Sequence, residues 1–180
     1  MIGSEKVRVR EATRADAAAI ARLHLDNWRA AYRGIVPDDL LDGITEESRR
    51  RHWDGVLAEP GGAEFVYVAE DAGGQLIGIA SGGPELGGDP HYRGELYVLH
   101  VRPEAQGHGV GRALMRAVAA RLAADGITSL LVWMLRENHP ARRFYAALGG
   151  QFIREQPAPF EGIMLMDAGY GWLDTALLRR

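Results

Sequence analysis

Apolar residues recur along the chain with two alternating periods. Residues 7–10 alternate apolar and basic side chains and predict a short strand. Thr13-Arg14-Ala15-Asp16 resembles a capping box, and Ile20, Leu23, Asn27/Trp28 and Ala31 follow at helical spacing until Gly34 and Pro37. Thr45-Glu46-Glu47 opens a second helix, with its acids in the favourable first turn. Trp53, Val56 and Leu57 form its apolar face, and Pro60-Gly61-Gly62 ends it. The period then shortens. Residues 65–69 and 76–80 read as a hairpin about the turn Asp71-Ala72-Gly73-Gly74, and 82–94 as a polar, glycine-rich loop. A strand at 95–101 precedes a helix at 109–124, which carries Leu114, Val118 and Leu122 on one stripe and stops at Asp125-Gly126. The apolar run 128–135 predicts a strand buried on both faces. A helix over 138–148, capped by Asn138 and closed by Gly149-Gly150, follows. Short strands at Phe152-Ile153 and 163–166 complete the sheet, and Gly169-Tyr170-Gly171-Trp172 leads into a tail. The order β, two helices, β-β-β, α, β, α, β-β predicts one α/β or α+β domain spanning 1–180 with a mixed sheet.

Composition narrows the chemistry. A net charge of -3 argues against a dedicated nucleic-acid binder. The absence of cysteine removes disulfides, thiolate metal sites and a cysteine nucleophile. Six dispersed histidines, with no HExxH pair, predict no metal site. The charged N-terminus lacks an apolar leader segment and no run approaches membrane-spanning length, so no membrane association and a cytoplasmic location are expected.

The most informative segment runs from Leu96 to Arg112, a strand entering a Gly107-His108-Gly109-Val110-Gly111 turn that opens a helix. Alternate glycines let a backbone approach a ligand, and free amides at a helix start favour an anion. The plainer alternative is a glycine-rich connection. A P-loop is excluded because it needs Gly-Lys-Ser/Thr there and the only lysine is Lys6. The dinucleotide fingerprint GxGxxG also fails, since Arg112 stands where its third glycine belongs.

Gln106-x-x-Gly109-x-Gly111, after an apolar strand ending Val101-x-Pro103, resembles the acetyl-CoA signature of the GNAT family of N-acetyltransferases. Downstream, Asn138 and Phe144-Tyr145-x-x-Leu148-Gly149 are similar to that family's second half, with Gly150-Gln151-Phe152 where Gly-Phe is common. The resemblance covers nearly the whole chain. It implies a mostly antiparallel central sheet flanked by helices, acetyl-CoA as cosubstrate and no metal. It further implies that the 99–101 strand (Leu99, His100, Val101) offers backbone groups to the pantetheine arm. Gln106, Gly107, His108, Gly109, Val110, Gly111 and Arg112 would hold the pyrophosphate. Asn138 would bond the cofactor arm, a role compatible with capping its helix.

Acetyl transfer to an amine needs a base, a polarised carbonyl and a proton for the departing thiolate. Without cysteine, direct attack in a ternary complex is the simple route. The resemblance puts Tyr145 at the thiolate-protonating position; the alternative is a core aromatic. Glu95, eleven residues before Gln106, matches the base of the histone-acetylating branch; the alternatives are a solvated strand-end acid, with His100 or water as base. Trp133 stands where members that acetylate protein N-termini carry a glutamate. Residues 27–37 are similar to a branch that includes polyamine acetyltransferases. Trp28 and Tyr32, four apart on one helix face, would wall the acceptor pocket or simply pack the core. Asp26, Asp38, Asp39 and Glu95 would make an acidic mouth for a small cationic amine. The expected protein is an acetyl-CoA-dependent N-acetyltransferase, monomeric or homodimeric. The rival is a non-catalytic acyl-CoA-binding or regulatory module on the same fold.

Overall fold

A computed structural model of the chain describes residues 7–59 and 61–179, so Met1–Lys6, Pro60 and Arg180 lie outside it. Seven strands form one sheet: β1 (Arg8–Glu11), β2 (Phe65–Glu70), β3 (Leu76–Pro84), β4 (Gly94–Val101), β5 (Leu130–Leu135), β6 (Gln151–Phe160) and β7 (Ile163–Trp172). Their spatial order is β1-β2-β3-β4-β5-β7-β6. Every neighbouring pair is antiparallel except β4 and β5. The helices are α1 (Ala17–Tyr32), α2 (Asp38–Gly43), α3 (Glu46–Val56), α4 (Val110–Ala124) and α5 (His139–Ala147).

Two apolar layers sandwich the sheet. On one face Ile20, Leu23 and Trp53 of α1 and α3 pack on Val66, Val68 and Ile79. On the other, Leu114, Val118 and Leu122 of α4 pack with Tyr145 of α5 against Ala80, Leu96 and Leu130. Because β5 lies between these layers, five of its six residues are buried, which explains its continuous apolar run. Local signals set the helix starts. Thr13 N–H donates to Asp16 Oδ2 at 2.7 Å, Ser48 N–H to Thr45 Oγ1 at 3.1 Å, and Ala141 N–H to Asn138 Oδ1 at 3.2 Å.

Four expectations change. The glycines of 82–83 belong to β3, not to a loop: a Cβ on Gly82 would lie 2.8 Å from the Glu95 carbonyl oxygen. Asp38 and Asp39 open a further short helix, to which the sequence pattern assigned no element. The last two strands are ten residues each, far longer than expected. Pro157 and Pro159 obscured β6, and they are tolerated because β6 is the sheet edge. Gly169 to Trp172 lies inside β7 and not before a tail. Gly169 sits beneath the Trp133 ring, where a Cβ would come within 2.6 Å of Cζ3, and Gly171 sits beneath Tyr92.

Candidate active site

The parallel pair is short. Gly94, Glu95 and Leu96 face Leu130, Leu131 and Val132, and no residue of β4 beyond Leu96 has a partner on β5. On its other edge β4 stays paired to β3 as far as Val101. The register shifts between Ser81 and Gly82, opposite 96–98, where β4 turns away from β5. The strands therefore splay, and the gap opens into a cleft of about 820 Å3. Leu99, His100 and Val101 form one wall, and Trp133, Met134 and Leu135 the other. Gln106, Gly107, Gly111, Asn138, Phe144 and Tyr145 line the α4–α5 side, and His24, Trp28 and Tyr32 the α1 side.

The glycine turn at one end divides its labour. Gly107 and Gly109 have φ of +76° and +85°, a region side chains avoid, and Gly109 is the N-cap of α4. Gly111 serves packing instead: a Cβ there would stand 3.0 Å from Phe144 Cζ, so α4 and α5 meet closely. The first-turn amides of α4 have no carbonyl partner within the helix and point out of its N-terminus. Gln106 Nε2 donates to Val101 O at 3.1 Å, which ties the turn to the end of β4. Val110 is buried, so only its backbone can meet a ligand, whereas His108 and Arg112 are exposed at the turn.

Midway along the cleft the aromatic groups converge. Tyr145 is buried, and among the described residues its hydroxyl has no hydrogen-bond partner. Burial, with a smaller push from Tyr32, holds its phenol protonated well above the ordinary range. Tyr32 is also raised by burial. Trp28 packs edge-on to Tyr32 with centroids 4.4 Å apart, and its indole N–H is buried without a partner among the described residues. Behind them, Trp53 Nε1 donates to His24 Nδ1 at 3.2 Å, which places the proton of neutral His24 on Nε2. His24 and His100 are 4.8 Å apart by ring centroid. Burial depresses their pKa values to about 2 and about 4, so both are neutral at pH 7.

A family description, "Acetyltransferase (GNAT) family", matches residues 20–149. The chain belongs to the GNAT family. It is 34% identical over 173 residues to an uncharacterised N-acetyltransferase, YuaI, of Bacillus subtilis, a match covering 96% of each chain. It is 37% identical over 145 residues to an aminoglycoside N(6')-acetyltransferase type 1 of Stenotrophomonas maltophilia, covering 78% of this chain and 84% of that protein. Its fold is that of the crystal structure of PaiA N-acetyltransferase from Thermoplasma acidophilum in complex with coenzyme A, with a TM-score of 0.72. That match has 17% identity and covers 90% of this chain and 98% of that one. As a GNAT member the chain is an acetyl-CoA-dependent N-acetyltransferase, with acetyl-CoA as its cosubstrate. Among the described residues no helix is long and apolar enough to cross a membrane, and no three His, Asp or Glu residues gather as metal ligands.

Within this GNAT fold the sequence-derived residues fall into two groups. Tyr145, Asn138, Leu99, His100, Val101, Gln106, Gly107, Gly111, Trp28 and Tyr32 line one cleft, which the remaining turn residues His108, Gly109, Val110 and Arg112 do not line. Glu95 does not: its Oε2 accepts from Leu86 N–H at 3.1 Å, at the far end of β4. Burial raises its pKa, and Tyr97, a cleft wall two residues along, feels its charge. The acidic mouth expected from Asp26, Asp38 and Asp39 is not found. All three side chains are exposed and none lines the cleft, because α1 and α2 turn their polar faces to solvent; Asp38 also pairs with Arg33 at 3.1 Å. Among the described residues the acids that do line the cleft are Glu137 and Asp167, and no arginine or lysine does. Asp167 carried no local signal in the sequence, since only the pairing of β7 beside β5 brings it there.

Proposed function

We propose that this enzyme transfers the acetyl group of acetyl-CoA directly to a primary amine of a small, cationic acceptor. The observation that carries this reading is one continuous cleft. It runs from the Gly107–Gly111 turn past Tyr145 to the Trp28 and Tyr32 rings, and among the described residues its lining includes Glu137 and Asp167 but no arginine or lysine. The residues fit the cosubstrate. The β4 edge beyond Leu96, unpaired on its β5 side, offers backbone groups of Leu99 and the N–H of Val101 to an amide-containing arm, and the α4 amides suit its pyrophosphate. Asn138 can hold the arm with whatever hydrogen-bonding capacity its cap leaves free.

Bound acetyl-CoA supplies an activated acyl carbon and a thiolate leaving group. With no cysteine in the chain, no acyl-enzyme on sulfur can form. The acceptor nitrogen attacks the carbonyl carbon, the C–N bond forms and the C–S bond breaks. Tyr145 gives its hydroxyl proton to the departing sulfur, its burial keeps that proton in place until charge develops, and the second proton lost by the acylated nitrogen restores the phenol. Glu95 takes the ammonium proton through water, since its carboxyl lies beyond the cleft wall and burial strengthens it as a base. The aminoglycoside-modifying relative acts, by its name, on a polycationic amino sugar, which is chemistry of the same class. Similarity of 27–37 to polyamine acetyltransferases points the same way.

The test is thiol release from acetyl-CoA across a panel of amines. Amines bearing a second positive charge should give the higher kcat/KM. A better carboxylate-bearing acceptor, or no thiol release with any amine, overturns the reading.

A further inference from the structure

Asp167 sits mid-strand on β7, paired across to Leu135 of β5 and Gln156 of β6. It is half-buried and lines the cleft. Among the described residues no cation or hydrogen-bond donor pairs with its side chain, and burial alone raises its pKa. Glu137 in the cleft and Glu155 on the adjacent strand are already paired. Glu137 is held by Arg136 at 2.8 Å, and Glu155 stands 3.6 Å from the same guanidinium. Arg154, which covers Trp133 at 5.1 Å, is paired with Asp89 at 2.8 Å. A half-buried carboxylate without a partner is costly in an apolar wall, and a cation brought by a ligand would relieve that cost.

Its place along the cleft is also informative. Asp167 and Tyr32 both line the cleft, and Tyr32, raised mainly by burial, also feels the charge of Asp167. Leu135, the cross-strand partner of Asp167, packs in the same cluster as Tyr32 and Trp28. The pairing with Leu135 therefore puts Asp167 at the Trp28–Tyr32 end of the cleft. A nitrogen reacting beside Tyr145 would leave the rest of the acceptor reaching toward it.

We infer that Asp167 is the specificity anchor of the acceptor site: it pairs with a second ammonium group, several bonds from the reacting amine, while the Trp28 and Tyr32 rings flank the intervening alkyl segment. The inference rests on the acetyl-transfer reading for the position of the reacting nitrogen. The aromatic flank suits a cation, which is attracted to ring faces, and the cleft offers no competing arginine or lysine.

The test uses the full chain saturated with coenzyme A and two probes of matched length, 1,4-diaminobutane and butylamine. Calorimetry should show the wild type binding the diamine more tightly by about tenfold or more, as expected for an ion pair partly removed from water. Asp167→Asn should bring the ratio close to one by weakening the diamine alone, with coenzyme A binding unchanged as the check on folding. Asp167→Glu should retain most of the preference. The inference is overturned if the wild type binds both amines equally, or if the preference survives in Asp167→Asn. Thiol release with acetyl-CoA separates the two readings. If no amine is acetylated while the binding preference and its loss in Asp167→Asn persist, the acetyl-transfer reading falls and the anchor stands. If turnover is normal and Asp167→Asn still prefers the diamine, the anchor falls and the acetyl-transfer reading stands.

Discussion

The buried His24 and the partly buried His100 should make this protein acid-sensitive in a defined window. His24 and His100 are held neutral, with pKa values depressed from 6.5 to about 2 and about 4. Burial is the main cause in both. Arg49 of α3 repels the charged form of each, and His24 also faces His52 and His100. The unfolded chain binds a proton at each histidine as pH falls through 6.5, and the folded chain does not. Stability is therefore full above pH 6.5 and declines below it until the folded values are reached. At pH 5 the unfolded state gains 1.5 pH units of protonation per histidine, or about 2 kcal/mol each at 1.36 kcal/mol per unit. The pair together costs about 4 kcal/mol, a large part of a typical folding free energy. His24→Gln removes one titration while its side-chain carbonyl can still accept from Trp53 Nε1. Urea unfolding at pH 7 and pH 5 measures the difference. The wild type should lose about 2 kcal/mol more than His24→Gln between the two pH values, whatever the mutant's stability at pH 7. Parallel losses in the two proteins would refute the reasoning.

Three further outcomes are expected. Tyr145→Phe keeps the ring and removes the proton donor, so kcat should fall about 10²- to 10⁴-fold with an unchanged acetyl-CoA dissociation constant; near-normal turnover would leave water as the acid. Glu95→Gln should be most defective at low pH and recover as pH rises and the amine loses its proton unaided, as a pH–rate profile will show; a pH-independent defect would point to positioning instead. Gly109→Glu forces a side chain onto a backbone at φ +85° and sets a carboxylate at the anion site, so calorimetry should find acetyl-CoA binding lost; unchanged affinity would remove the turn from the cosubstrate site.

Where local chemistry decides structure, the sequence was readable. Thr45 and Asn138 cap helices through their own side chains, and the alternate glycines before α4 mark a turn that only positive φ allows. Where distant parts of the chain decide, it was not. Gly169-Tyr170-Gly171-Trp172 looks like a loop because the rings that require small residues there, Trp133 and Tyr92, come from other segments. Edge prolines hid the length of β6. The eleven-residue spacing from Glu95 to Gln106 was visible, but which side of the wall its carboxyl occupies depends on the irregular pairing of β3 with β4. Asp167 is a lone polar residue between Met166 and Ala168, and its surroundings are assembled entirely by sheet order.

The unpaired margin of β4 beyond Leu96 has a consequence outside catalysis. It is a strand edge in the middle of a sheet, the kind of edge that invites another chain to add itself. A bound acyl donor would occupy that edge as an eighth, non-peptide strand, so filling the site would also close the seam. Ligand binding then adds to folding free energy: at a hundred times the dissociation constant it contributes about 2.7 kcal/mol. Cosubstrate supply would thereby bear on the stability of the folded chain as well as on its rate of turnover.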